Sequence, residues 1–302
     1  MNILISGANG FIGRHVVDSI AGNHNLALIL RNLGSQGFKP DNVTNIIGSL
    51  ENIAEVQKEI INFSPDACIH LAWDGIPDFS AKRSLSNLNL SVSLLDMLIE
   101  NTNCKKYIIT GSCYEYGNAS GECRESDPAK FDSFIGWAKH SINQYATLRC
   151  LEKGLKLYWL RCFYVFGSGQ RNASIIPSII SAFLKNETPI IKNPFNANDF
   201  VHVKDISRAI RLILERDPEG GIYNLGSGQA TQIVKICEII ERKICNSTTF
   251  SDSLLNLNKD MHSRGFWADI TKAKKYFGWE PYLTIEEGIE ELLGSIKREM
   301  RW

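Results

Sequence analysis

Through its first 160 residues the chain alternates short apolar runs with longer amphipathic stretches, a rhythm that few folds can accommodate. The runs are NILIS (2–6), LALIL (26–30), NIIG (45–48), ACIHLA (67–72), KYIIT (106–110) and LYWLR (157–161). Strands covered on both faces need sequences this short and this continuously apolar. The stretches between them, 10–22, 52–62, 82–101 and 136–153, read as amphipathic helices. Such alternation predicts an α/β fold, a doubly wound, Rossmann-type parallel sheet with its ligand crevice at the carboxyl ends of the strands.

The first strand runs into GANGFIG, which places Gly7, Gly10 and Gly13 between a strand and a helix. The first glycine permits a tight turn, the second lets a pyrophosphate approach the backbone, and the third lets helix and strand pack closely. Phe11 and Ile12 face inward, and the helix amino terminus offers free N–H groups to phosphates. A dinucleotide is the expected ligand. The second strand ends in Arg31 where a site for NAD(H) usually carries an acid. A guanidinium there suits a 2′-phosphate, so NADP(H) is favoured, with NAD(H) the alternative and a merely solvated Arg31 the competing reading.

After Arg161 the rhythm loosens: a loop at 166–172, a helix at 175–186, strand then helix over 199–215, and a strand opening 222–229. Two helical stretches then flank a Gly278-Trp279-Glu280-Pro281 turn. The expected division is a dinucleotide-binding domain at 1–165 and a smaller substrate-binding lobe at 166–302, with some segments returning to the sheet. Lys+Arg and Asp+Glu both number 33. A balanced chain has no excess positive field to hold nucleic acid or a membrane surface, so neither is expected as a partner. The eight cysteines form no CxxC pair and no metal-ligand spacing, which fits a reducing cytoplasm and no bound metal. No signal peptide or membrane-spanning stretch is read.

Further motifs follow in order: HLAW (70–73), NLNLSVSLLDML (87–98), GSCYEYG (111–117), LRCFYVFGSGQ (160–170), DFVHVKDISRAI (199–210), YNLGSGQ (223–229) and ADITKAKKYFGWEP (268–281). With GANGFIG, this series resembles the extended short-chain dehydrogenase/reductase family, in its nucleotide-sugar epimerase, dehydratase and reductase branch. The resemblance covers nearly the whole chain. It adds Leu71 and Ala72 to the cofactor-binding set and makes the second lobe a nucleotide-sugar site. Ser112 matches the family's substrate-binding hydroxyl. Lys139 matches the lysine that holds the nicotinamide ribose and lowers the pKa of a tyrosine four residues earlier.

That tyrosine is missing; the position holds Ile135. Phe134 and Gly136 carry no proton, and Tyr145 lies on another helical face. Tyr114, Tyr116 or a water held by Lys139 and Ser112 must replace it, and Tyr114 is preferred because an aromatic residue at 116 is usually structural in the family. Dehydratases of the family place Asp-Glu where this chain has Cys113 and Tyr114, which argues against 4,6-dehydration. For the substrate, the resemblance implies Ser112, Tyr164, Asn172 and Arg264. The expected activity is NAD(P)H-dependent reduction of an NDP-4-keto-6-deoxyhexose, in the making of an unusual surface-polysaccharide or glycoside sugar. An epimerase of the same substrates and an NADP(H)-binding pseudoenzyme or scaffold are the rivals. The resemblance also implies a homodimer through the helices at 82–101 and 136–153, with Leu85, Leu88, Val92, Leu95 and Leu98 lining either that interface or the core.

Overall fold

Seven strands form the central sheet: β1 (Asn2–Ser6), β2 (Asn25–Leu30), β3 (Val43–Ile47), β4 (Ala67–His70), β5 (Lys106–Ser112), β6 (Lys156–Cys162) and β7 (Gly221–Leu225). They lie in the order β3-β2-β1-β4-β5-β6-β7, and every neighbouring pair is parallel. This computed structural model describes residues 1–32, 41–257 and 265–299. The described residues also form the helices α1 (Phe11–Ile20), α2 (Ile53–Phe63), α3 (Ala81–Asn101), α4 (Phe134–Lys153) and α5 (Ile175–Leu184). The later helices are α6 (Val203–Arg216), α7 (Ile233–Cys245), α8 (Thr249–Leu257), α9 (Thr271–Phe277) and α10 (Ile285–Glu299).

The period-two geometry of a strand sends neighbouring side chains to opposite faces. Ile3 and Ile5 of β1 accordingly join the core under α1, α6 and α9, while Leu4 joins the core under α2, α3 and α4. The doubly wound parallel fold read from the alternation is what the chain forms. β7 and α6 come from beyond residue 165 and complete the sheet and one of its covering layers.

A third core lies among α5, α7 and α10, with Phe166 and Phe200. Around it are two small sheets. One pairs Tyr164–Phe166 with Phe200–His202, and the other joins Gly121–Cys123, Ala197–Asn198, Thr231–Gln232 and Phe266–Ala268. His202 caps α6, its Nδ1 accepting from the Lys204 N–H at 3.3 Å. Asp205 ties down the next loop by accepting from the backbone N–H groups of Tyr282 and Leu283. The connection from β3 passes to the other side of β1 before entering β4, so a crevice opens at the carboxyl ends of β1 and β4.

Candidate active site

A cavity of about 680 Å3 occupies that crevice. Gly7, Gly10, Phe11, Ile12 and Gly13 line it from the β1–α1 turn, Arg31 from the end of β2, and Leu71, Ala72 and Trp73 from the end of β4. Gly7 has φ of +79°, and a Cβ there would stand 2.6 Å from the Ala72 nitrogen; one at Gly13 would stand 2.0 Å from the Gly7 oxygen. Neither position admits a side chain. Gly10 begins α1 with no side-chain cap, so the first-turn N–H groups and the helix dipole remain available to an anion. His70 forms the floor of the cavity. Ser91 Oγ donates to the Asn87 carbonyl, so His70 Nε2–H donates to Ser91 at 2.9 Å and Nδ1 accepts from Ser6 Oγ at 2.6 Å. Burial first, and the Lys139 charge second, lower its pKa to about 3 and keep it neutral.

Trp73 joins this cavity to the expected catalytic group. Its ring lies under Lys139 Nζ, 4.2 Å from the centroid, and its buried indole N–H has no hydrogen-bond partner among the described residues. Lys139 projects from α4 and donates to the Thr110 carbonyl at 2.6 Å, two residues before Ser112 at the end of β5. Burial pulls its pKa down to about 8, with the Glu115 carboxylate opposing.

Ser112 begins a one-turn 3-10 helix, Cys113–Tyr116, and its Oγ accepts from the Tyr114 N–H at 3.2 Å. Glu115 holds that turn from beneath. Fully buried, it accepts from the Ser112 N–H at 2.9 Å and from Trp159 Nε1 at 2.9 Å, and pairs with Arg161 at 3.1 Å. Arg161 also donates to the Tyr116 hydroxyl, which in turn donates to Asn224 Oδ1 at 2.7 Å. Tyr116 and Glu115 are therefore both committed to this buried network. Cys113 is buried as well, and burial pushes its thiol far up, so no thiolate forms there near neutral pH.

Ile135 is buried one helical turn before Lys139. Beside it, a Cβ at Gly136 would stand 2.3 Å from the Tyr114 carbonyl oxygen, so only glycine lets α4 close against the 113–116 turn. This contact sets the backbone of α4 at Gly136 against the backbone of Tyr114. Tyr114 is half-buried between Phe79 and Tyr164, with ring centroids 6.0 and 6.4 Å away. Burial, the main cause, raises the Tyr114 pKa. Asn172 sits exposed in the loop before α5, Arg31 is exposed at the cavity rim, and Arg264 lies outside the described residues.

Residues 3–226 match the NAD dependent epimerase/dehydratase family. The chain belongs to that family. Its resemblance to the extended short-chain dehydrogenases, read from the motifs, is thereby borne out. A dTDP-4-dehydro-6-deoxyglucose reductase of Escherichia coli is 26% identical, with 98% of this chain and 97% of that protein covered. A putative UDP-glucose 4-epimerase of Methanocaldococcus jannaschii is 27% identical, with 99% of each covered. Among solved structures, a UDP-glucose 4-epimerase from Thermotoga maritima with UDP-glucose superimposes with a TM-score of 0.84 at 24% identity, covering 99% of this chain and all of that one. A dTDP-glucose 4,6-dehydratase from Bacillus anthracis in complex with NAD gives 0.83 at 22% identity, covering 100% and 98%. Relatives in the family thus include nucleotide-sugar reductases, epimerases and dehydratases.

The cavity suits the nicotinamide cofactor on which the family depends. The glycine turn leaves a side-chain-free cradle, the α1 amino terminus is uncapped, and the lining Trp73 carries an orphaned indole N–H with a buried ammonium against its ring. Sequence reasoning missed Trp73, His70, Asp74 and Asn87. HLAW and the asparagine-rich helix flagged their neighbourhoods, but only the fold shows that α3 and the β4 end share the cavity wall. Among the described residues no group of His, Cys, Asp or Glu could hold a metal ion, and no helix is long and apolar enough to cross a membrane.

Proposed function

We propose that this chain reduces an NDP-keto-sugar, an NDP-4-keto-6-deoxyhexose, with a reduced nicotinamide cofactor, preferring NADP(H) to NAD(H). One observation carries the reading: beside Ser112 and Lys139 stands a donor without a base. Ile135 is buried where the family has its tyrosine, and Tyr114, two residues after Ser112, carries a phenol that burial keeps protonated. The single carboxylate on its turn, Glu115, is locked to Arg161. A site of this kind delivers a proton to a developing alkoxide. It is poorly equipped to remove one, as epimerisation and dehydration both require.

A reduced nicotinamide, when bound, would supply the hydride that the carbonyl carbon takes up. Tyr114 gives its phenolic proton to the carbonyl oxygen and recovers one from solvent. Ser112 donates a hydrogen bond to the same oxygen. Lys139 holds the nicotinamide ribose, and its charge favours the developing negative oxygen. Tyr164 orients Tyr114, and Asn172 and Arg264 serve the diphosphate. Arg31 supports the preference for a 2′-phosphate. The reductase name of the E. coli relative supports the substrate class. Eight unpaired cysteines support a cytoplasmic setting, and exposed leucines on α3 and α4 support a homodimer.

The test is initial-rate kinetics with NADPH and NDP-4-keto-6-deoxyhexoses of each common base. Nicotinamide oxidation matched by alcohol formation is expected, with kcat/KM falling as pH rises through about 8, where Lys139 loses its proton. Interconversion of sugars without net cofactor consumption would instead identify an epimerase. Cofactor binding with no turnover of any keto-sugar would identify a pseudoenzyme.

A further inference from the structure

At the rim of the cofactor cavity, next to Trp73, the Asp74 carboxylate is shared by two guanidinium groups. Its Oδ1 accepts from Arg31 Nη1 at 2.9 Å, and its Oδ2 accepts from Arg83 Nη1, in the first turn of α3, at 2.5 Å. The backbone beneath it is clamped by a buried side chain. Asn87 Oδ1 accepts from the Asp74 N–H at 2.7 Å, while Asn87 Nδ2 donates to the carbonyls of Asp74 and Arg83 at 3.0 and 2.9 Å. Gly75 has φ of +83°, and a Cβ there would stand 2.5 Å from Arg83 Nε, so the arginine lies directly over the chain. Asp74 is thus a fixed acid, 27% exposed, holding an arginine that is 73% exposed.

A surface ion pair contributes little to stability, and this clamp is more than such a pair needs. What it achieves is placement of a negative charge beside Arg31, the group offered by β2 to the ribose of a bound dinucleotide. We infer that Asp74 sets the discrimination between phosphorylated and unphosphorylated nicotinamide dinucleotides, by competing with the 2′-phosphate for Arg31 and Arg83. The inference rests on the reading that this cavity holds such a dinucleotide. An incoming 2′-phosphate has to take both guanidinium groups from Asp74 and then lie beside its carboxylate. An unphosphorylated ribose leaves the Arg–Asp–Arg group intact and can donate its hydroxyls to the same carboxylate. The preference that Arg31 alone would give NADP(H) is therefore curbed by its own partner.

Isothermal titration of the full chain with NADPH and with NADH reads this without reference to turnover. Asp74→Asn keeps the shape and the hydrogen-bonding oxygen but removes the charge. It is expected to raise the ratio of NADPH to NADH affinity about tenfold, an amount worth about 1.4 kcal/mol, with the gain shrinking as salt screens the charges. Arg31→Ala should move the ratio the other way, which keeps the proposal testable if one variant folds poorly. Binding of both dinucleotides with ratios unmoved in both variants overturns the inference alone. Binding of neither dinucleotide to wild type overturns it together with the proposed function.

Discussion

A buried isoleucine at position 135 changes what its neighbours have to do. In the family arrangement implied by the motifs, the lysine lowers the pKa of a tyrosine one turn away. Here Lys139 turns to the Thr110 carbonyl and the face of Trp73, and the proposed phenol, Tyr114, comes from another segment, the turn that packs against α4 at Gly136. If Tyr114 supplies the proton, Tyr114→Phe should lower kcat about 10²–10⁴-fold while KM for the keto-sugar changes little. Ile135→Tyr should not restore a faster enzyme. Ile135 is already buried, and overpacking a buried position typically costs about 1–3 kcal/mol of stability. Full activity in Tyr114→Phe, or a large gain in Ile135→Tyr, would remove Tyr114 from the mechanism. The absence of a phenol at 135 and the presence of Ser112 and Lys139 were readable from spacing alone. The Arg31–Asp74–Arg83 group was not, because its three members come from the ends of three different elements and meet only across the crevice.

Elements were legible where burial on both faces leaves a continuous apolar run. The six runs expected as strands correspond to β1–β6, with ends moved by up to two residues. Strands of two or three residues, such as Ala197–Asn198 and Thr231–Gln232, escaped notice because their pairing is set by partners distant in sequence. Helix α7 was also passed over, although its apolar residues recur at helical spacing. On α3 the expected stripe divides. Leu95 and Leu98 enter the core, Leu88 packs against it, Val92 is half-buried, and Leu85 stays exposed. Helix α4 likewise buries Ile142, Ala146 and Cys150 but exposes Trp137, Leu148 and Leu151, which share one stripe about four turns long. The two helices are bound together by Tyr145 and Arg149, which both reach Asp96. This exposed stripe on α4 is what supports the proposed homodimer. Sedimentation velocity should show a dimer, and Leu148→Glu with Leu151→Glu should give a folded monomer, since burying each leucine contributes about 1.5–3 kcal/mol. A monomeric wild type at micromolar concentration would refute the pairing.

Across the whole molecule, two buried histidines tie stability to acid in a window of its own. His70 lies at the centre of the main sheet with a pKa near 3, and His202 caps α6 near the third core with a pKa of about 4. Burial is the main cause for both, opposed at His202 by Glu291, 3.3 Å from Nε2. An unfolded chain protonates both near 6.5. Between that value and the folded pKa the unfolded state binds more protons, so stability is full above 6.5 and falls as pH drops. Each histidine lowers it by up to about 1.4 kcal/mol per pH unit in that range. Carboxylates with lowered pKa values act in more acid solution; Asp217, held near 2 mainly by Lys156, loses its contribution only below about 4. Thermal unfolding followed from pH 7 to pH 4 should therefore show a falling Tm well before ordinary acid denaturation. His70→Gln, which can still bond Ser6 and Ser91, should flatten part of that fall. Comparison with wild type isolates His70, because Asp199 and Asp205, raised by burial, take up protons alike in both proteins. Equal slopes in the two proteins would mean that the ring of His70 already accepts a proton in the folded state, and that the polar floor of the cavity carries charge.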